Sequence, residues 1–459
     1  MNSIRTRLAV VRDSDRGLTL IEVVVAMFIF AMVAVGIAYS MALTLTVTSD
    51  SRGRQTASNL ASSAIDAIRA ITNFSSVGPS TSTVTVDNRN YYVNVTTTLV
   101  GSTAGASSVC TSGSGALLYK SVNVDVTWDG MSKGAKAVQA DTAVAPSARI
   151  NDPLKGVIVV SVRAASGAGN QGVTVSAVPA TANPNGASTI TSTIANTDAQ
   201  GCSVILQVTP GNYVVSISEP LAGNPAIDSN QSLTPTLPRP VAAGSSATAP
   251  FQFDQSSKFT PTYASNYAGT VTLPTGMQTS FSNSYGIWAY SSAPYYLHPY
   301  TAGYTVLAGT LAASGSSAPS CKSVDPGQWT ASTDGTLVGR SPSPVATVPG
   351  GATGVNVPMG VVQISSILSG GYLKAVAQTA GPAGSGDPGC DSPSTYTFSA
   401  PLVMGTNTIA LPFGTWTFFT GTVLAQSSNV TTGITLMTPG SQWTNNGNTY
   451  VTLDPRGAP

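Results

Sequence analysis

Residues 13–40 read DSDRGLTLIEVVVAMFIFAMVAVGIAYS, and the apolar run continues to Ser49. Over the 32 residues from Leu18 to Ser49 the one charged side chain is Glu22. About 20 apolar residues suffice for a helix to cross a bilayer. The run is therefore long enough to span a membrane. A charged side chain in hydrocarbon costs roughly 3 kcal/mol even on the mildest scale. Glu22 is expected to have a role and a partner. Ahead of the run stand Arg5, Arg7, Arg12 and Arg16 against Asp13 and Asp15. A basic flank of this kind holds the leading end of the helix on the cytoplasmic side.

Three kinds of segment share these features: a secretory signal peptide, a plain transmembrane anchor and a prepilin leader. The stretch Gly17-Leu18-Thr19-Leu20-Ile21-Glu22 resembles the signature that opens type IV pilins and the related pseudopilins. The resemblance implies cleavage by a prepilin peptidase between Gly17 and Leu18, with N-methylation of Leu18. Leu18 stands where that family most often has Phe, a change conservative in size. The resemblance also implies an assembly role for Glu22, whose carboxylate would meet the α-amino group of a neighbouring subunit. Two charges that are each costly in lipid then offset one another and set the register of packed helices.

Beyond the apolar run, Leu60, Ala64, Ile68 and Ile71 recur at helical spacing. They predict one long helix over 18–74, with its transmembrane half at 18–46 and an amphipathic half after it. Gly53 is expected to be a weak point that bends the helix. After Phe74 the pattern changes to period two. Thr83 to Val100 reads as a hairpin turning at Asp87 to Asn90. In Tyr119 to Gly130, Val122, Val124, Val126 and Trp128 share one face, and Gly134 to Pro146 predicts a further strand. A long helix followed by an antiparallel sheet (75–146) is the α+β architecture that the pilin resemblance implies.

The remaining chain reads as all-β sandwich modules. Lys155 to Ala180 and Asn196 to Pro220 carry short strands, Gly-rich turns and the phrase Pro210-Gly211-Asn212-Tyr213. They resemble the prealbumin-like sandwiches of carboxypeptidase regulatory domains and of the B-type repeats in collagen-binding adhesins. The boundaries expected are 150–256 for this module, 257–350 for an aromatic-rich β region and 351–459 for a second sandwich. The second copy is suggested by spacing. Gly156 lies 55 positions before Gly211 and Gly360 lies 54 before Gly414, and Gly414-Thr415-Trp416 aligns with Gly211-Asn212-Tyr213. Between the copies Tyr285, Trp288, Tyr290, Tyr295, Tyr296 and Tyr300 crowd into a short stretch. Core and strand-edge packing is the plain account of this crowding. A binding face for a surface glycan or receptor is the alternative, because Tyr and Trp suit both.

Charged residues are 8% of the chain and the net charge is +1, so no basic field exists to recruit a nucleic acid. The four cysteines, Cys110, Cys202, Cys321 and Cys390, form no CxxC pair, so neither a metal cage nor a cofactor site is expected. An even count in an exported chain suggests two disulfides, with three connectivities open. Cys321 with Cys390 flanks strands of the last region; Cys110 with Cys202 would have to bridge two domains. His298 is the single histidine, and Glu22 and Glu219 are the only glutamates. Asp387 and Asp391 flank Cys390 in a Pro/Gly loop, where turn formation is the simpler account. No catalytic constellation is expected.

The expectation is a minor type IV pilin-like subunit. It would begin as a single-pass protein of the cytoplasmic (inner) membrane with an extracytoplasmic C-terminal region, then move to a pilus or the cell surface. Its partners would be prepilin peptidase, the membrane, and other pilin subunits through the helix. Cleavage after Gly17 leaves 442 of the 459 residues, a bulk that suits a sparse or tip position better than every step of a fibre. The alternatives are a pseudopilin of a type II secretion-like system and a membrane-anchored binding protein that does not polymerise.

Overall fold

The computed structural model describes residues 19–71, 77–101, 110, 117–132, 134–145, 152–219, 223–311, 319–366, 369–439, 442–445 and 449–457. Gly17 and Leu18 lie outside them. The chain divides into two compact units, 1–150 and 151–459.

The first unit opens with helix α1 (Leu20–Arg69), 50 residues long. Four antiparallel strands follow: β1 (Ser80–Val86), β2 (Arg89–Gly101), β3 (Leu117–Trp128) and β4 (Val138–Val144), in the spatial order β1-β2-β3-β4. Asp87 and Asn88 both have positive φ, and Val86 pairs with Arg89. This is the two-residue primed turn whose twist matches that of its strands. Alternation in β3 buries Val122, Val124, Val126 and Trp128. Each valine contributes roughly 1.5–3 kcal/mol by leaving water. These side chains form one core with Tyr91, Val93 and Val95 of β2 and with Ala57, Ala61, Ile65 and Ile68 of α1.

The buried face of α1 differs from the expected stripe. Gly53, Ala57, Ala61, Ile65 and Ile68 are buried, Leu60 and Ala64 only partly, and Ile71 is exposed. Small side chains let the helix axis approach the sheet, and the larger Leu60 sits at the rim. Gly53 lies within the uninterrupted helix. A Cβ there would stand 2.7 Å from the Trp128 Nε1 and 2.9 Å from an Arg89 guanidinium nitrogen. Gly53 is thus a point of close approach between helix and sheet rather than the expected weak point. Arg69 in the last turn donates to Thr142 Oγ1 of β4 at 2.8 and 3.1 Å, tying down the helix end.

The second unit holds two cores. The first belongs to a sandwich of β5 (Gly156–Arg163), β6 (Thr174–Pro179), β7 (Cys202–Val208), β8 (Gly211–Ser218), β9 (Ala226–Asp228), β10 (Thr236–Val241) and β11 (Ser246–Gln255). One sheet runs β7-β5-β11-β9 and the other β10-β8-β6. β5 lies between β7 and β11 and is buried from Gly156 through Val162, so its residues form an apolar run rather than alternating. Ile158, Val160 and Val162 meet Val175, Tyr213, Val215 and Ile217 across the sandwich.

The second core takes in both the aromatic-rich stretch and the last module. Here β12 (Ser257–Tyr263) pairs antiparallel with β15 (Tyr295–Leu297) and parallel with strand Ala352–Val357, while β13 (Thr279–Asn283) lies between β14 (Gly286–Tyr290) and β16 (Thr305–Ala308). Phe259, Phe281 and Tyr304 join Val361, Trp416 and Phe418 in one cluster. The segments 257–350 and 351–459 therefore share a core.

The repeat suggested by spacing has a structural counterpart. β5 pairs with β7, and Gly360–Ser366 pairs with Gly405–Leu411. β8 lies between β6 and β10, and Gly414–Gly421 lies between Tyr372–Ala377 and Thr449–Leu453. Gly211 (φ 153°) and Gly414 (φ 141°) open equivalent strands in a conformation that L side chains rarely adopt. In each copy the following ring donates to the carbonyl four residues upstream. The Tyr213 hydroxyl reaches Thr209 O at 2.8 Å, and the Trp416 Nε1 reaches Pro412 O at 3.0 Å.

Candidate functional site

Thr19 caps α1 in an extended conformation (φ −71°, ψ 147°). Glu22 turns back on this cap. Its carboxylate accepts from the Thr19 backbone N–H at 3.3 Å and from the Thr19 hydroxyl at 3.1 Å. Glutamate at this helix position satisfies an otherwise orphaned donor and sits at the favourable, positive end of the helix dipole. Within one chain, then, Glu22 organises the helix start while its side chain remains exposed.

From Leu20 to Val47 the helix is uncovered by its own chain. Leu20, Phe30 and Leu45 are each more than two-thirds exposed. Its most apolar 18-residue window has a mean hydropathy of 2.7 and buries none of its residues. The hydroxyls near the end of this run are turned inward. Thr44 donates to Ser40 O (2.8 Å), Thr46 to Leu43 O (2.8 Å) and Thr48 to Thr44 O (2.7 Å). Such back-bonding keeps a polar side chain satisfied where no water is available. These threonines carry no signal in a search for charged or catalytic groups. Below them Arg89 crosses from β2 to the Ser49 Oγ at 2.9 Å. Between this contact and the β1–β2 turn lies a groove of about 400 Å³, lined by Arg52, Gly53, Thr56, Asp87 and Tyr91 among others.

The six aromatics of the candidate binding face do not share one surface. Tyr295 and Tyr300 are buried. The Tyr295 hydroxyl bonds Thr279 Oγ1 (3.0 Å) and the Tyr263 hydroxyl (3.1 Å); the Tyr300 hydroxyl donates to Ser229 O (2.6 Å). With both ends of these rings engaged inside, they pack rather than present a face. Trp288, Tyr290 and Tyr296 are half-buried. Only Tyr285 stands out, 69% exposed at the β13–β14 turn, with its ring stacked on Tyr300 at 4.5 Å between centroids.

A disulfide joins Cys321 and Cys390, on paired short strands. Cys110 and Cys202 are also disulfide-bonded, and no cysteine is free. His298 is fully buried. Its Nδ1 lies 3.1 Å from Ile227 O, a carbonyl that can only accept, which puts the ring proton on Nδ1. Burial pushes its pKa below the ordinary 6.5, opposed by the Ile227 carbonyl and by Asp254 and Asp228. Asp387 accepts from Ser323, from Thr415 (2.6 Å) and from the Gly389 N–H (2.8 Å), organising its loop, while Asp391 pairs with Lys322 at 3.0 Å.

Residues 12–38 match the family model of the prokaryotic N-terminal methylation motif. Among solved structures, the chain is similar to the Bacillus anthracis TIE protein, with 11% identity over 83% of this chain and 72% of that one, at a TM-score of 0.18. It is also similar to a Streptococcal ancillary pilin, with 10% identity over 51% of this chain and 75% of that one, again at 0.18. At these scores the backbones do not superpose closely. No curated protein matches the chain. A methylation motif running into a helix that is apolar, uncovered and long enough to span a bilayer supports a membrane-anchored, pilus-associated protein. The chain thus opens like a type IV pilin, and the motif implies a prepilin peptidase substrate and pilin-type assembly.

Proposed function

We propose that this protein is a minor type IV pilin-like subunit. Prepilin peptidase removes the leader after Gly17, Leu18 becomes the methylated N-terminus, and α1 enters a fibre beside the helices of other subunits. The observation that carries the reading is the division of α1 into two halves. One half is packed on its own sheet; the other, Leu20 to Val47, carries Glu22 as its one charge and is otherwise apolar all round and uncovered. A helix apolar on every side needs a buried environment. Lipid supplies it before assembly and neighbouring helices after. Glu22 then exchanges its contact with Thr19 for the α-amino group of a neighbouring Leu18.

The role is structural, not enzymatic, and the β modules after residue 150 are displayed outward for adhesion or assembly. The exposed ring of Tyr285, backed by Tyr300, is the part of the aromatic cluster open to a surface glycan or receptor. The same motif serves secretion pseudopilins, and loss of pili against loss of secretion on deletion separates the two roles.

Mass spectrometry of the membrane-extracted chain is expected to find methylated Leu18 at the N-terminus; an intact Met1 would overturn the reading. Glu22→Gln keeps an acceptor for Thr19 and removes the charge. It is expected to insert in the membrane, be cleaved, and fail to enter fibres. Incorporation at the wild-type level would refute the charge pairing.

A further inference from the structure

The last sandwich carries an exposed apolar tip that its own fold does not use. Val403 and Met404 lie on the loop before strand Gly405–Leu411; Val423 and Leu424 lie on the turn after strand Gly414–Gly421. Met404 is 74% exposed and Leu424 93%. Register puts both loops at the same pole. Gly405 pairs with Ser366, and Gly421 pairs with both Tyr372 and Gln426. Between them the 370–371 segment is stitched to the first loop, with Gly370 N donating to Leu402 O at 2.9 Å and Leu402 N to Gly371 O at 2.6 Å.

Two further features decide what this tip fits. First, it has no charge: Asp, Glu, Lys, Arg and His are all absent from Ser392 through Leu453 and from Ser341 through Leu373. The nearest cation on these strands, Lys374, has its ammonium over the Phe419 ring at 4.9 Å. Second, the loops satisfy part of their own backbone, beside the two exposed side chains. The Asn407 side chain donates to Val403 O (2.9 Å) and accepts from Val403 N (2.8 Å). The Gln426 side chain donates to Thr422 O and to Val423 O (2.9 Å), and Ala425 N bonds back to Thr422. In water such carbonyls need no side-chain partner. Where water is scarce, an unmade hydrogen bond costs several kcal/mol, so a loop that enters lipid must carry its partners with it.

We propose that this pole is a membrane-docking tip that inserts Met404 and Leu424, flanked by Val403 and Val423, into the surface of a zwitterionic phospholipid bilayer. The uncharged loops make the attraction one of apolar burial, independent of anionic lipid and insensitive to salt. The site is separate from α1, and its binding does not require fibre assembly.

The full chain, with α1 held in a nanodisc, would be mixed with phosphatidylcholine vesicles and floated on a density gradient. Wild type is expected to float with the vesicles equally at low and high salt. Met404→Ser/Leu424→Ser is expected to weaken vesicle binding roughly tenfold or more. Because both side chains are largely exposed, the variant should keep the wild-type unfolding temperature. Equal flotation of wild type and variant would overturn the proposal. So would binding that appears only with anionic lipid, or self-association of wild type through this tip without vesicle binding.

Discussion

Glu22 and Gly53 show how differently single residues of one helix are read. A lone carboxylate in an apolar run is conspicuous because its cost is set by chemistry, whatever the fold. Its immediate partner, Thr19, lies three positions away, so that contact too is local. Gly53 has the opposite character. Its helical propensity suggests weakness, but its value lies in what it leaves out, a Cβ that would collide with Trp128 on a strand 75 positions later. Replacing Gly53 with Leu is expected to cost about 1–3 kcal/mol by overpacking. Gly53→Ala should also destabilise, though less than Leu, because the added Cβ is the atom that meets the buried Trp128 ring and a helix-propensity gain of about 1 kcal/mol offsets only part of that. Thermal unfolding of the detergent-solubilised chain would separate the two.

At the scale of elements, strands were more legible than the buried face of the helix. β3 alternates cleanly, and Val122, Val124, Val126 and Trp128 are the buried set that the pattern names. The buried helix face lies about one position from the apolar stripe, because Ala57 and Ala61 carry little hydrophobic signal yet sit deepest. The aromatic stretch suits a surface or a core by composition, and the core takes most of it. The disulfide between Cys321 and Cys390 staples two very short strands across a sequence separation of 69. Closing a loop of that length constrains the unfolded chain by about 4 kcal/mol. Replacing both cysteines with Ala is expected to lower stability by about that amount, read from the denaturant midpoint. No change in midpoint would mean that the short strands hold without it.

At the scale of the molecule, the two cores of the second unit meet around His298. Its backbone N–H donates to Gln231 Oε1 (2.9 Å), its ring reaches Ile227 O, and Tyr304 donates its hydroxyl to His298 O (2.7 Å). Burial lowers the pKa of this ring in the folded state relative to the ordinary 6.5. The unfolded chain therefore binds a proton that the folded chain resists. Stability is full above that ordinary value and falls as pH drops from it toward the folded value. The unfolding temperature is expected to decline as pH drops below about 6.5, and His298→Gln should flatten that decline. An equal slope in the variant would place the titration elsewhere.

By itself the sequence determined what depends on neighbours along the chain. That set comprises the spanning helix and its charged start, the methylation motif, the alternating strands, and the paired spacing of Gly156–Gly211 and Gly360–Gly414. Only the tertiary structure decided which helix face is buried and that Tyr295 and Tyr300 lie inside. It also decided that 257–350 and 351–459 share one core, and that the loops carrying Met404 and Leu424 lie at one pole. The physical reason is range. Periodicity and helix capping act over a few residues, whereas these outcomes come from pairings between strands far apart in the chain, such as β12 with Ala352–Val357. No local pattern encodes such a pairing.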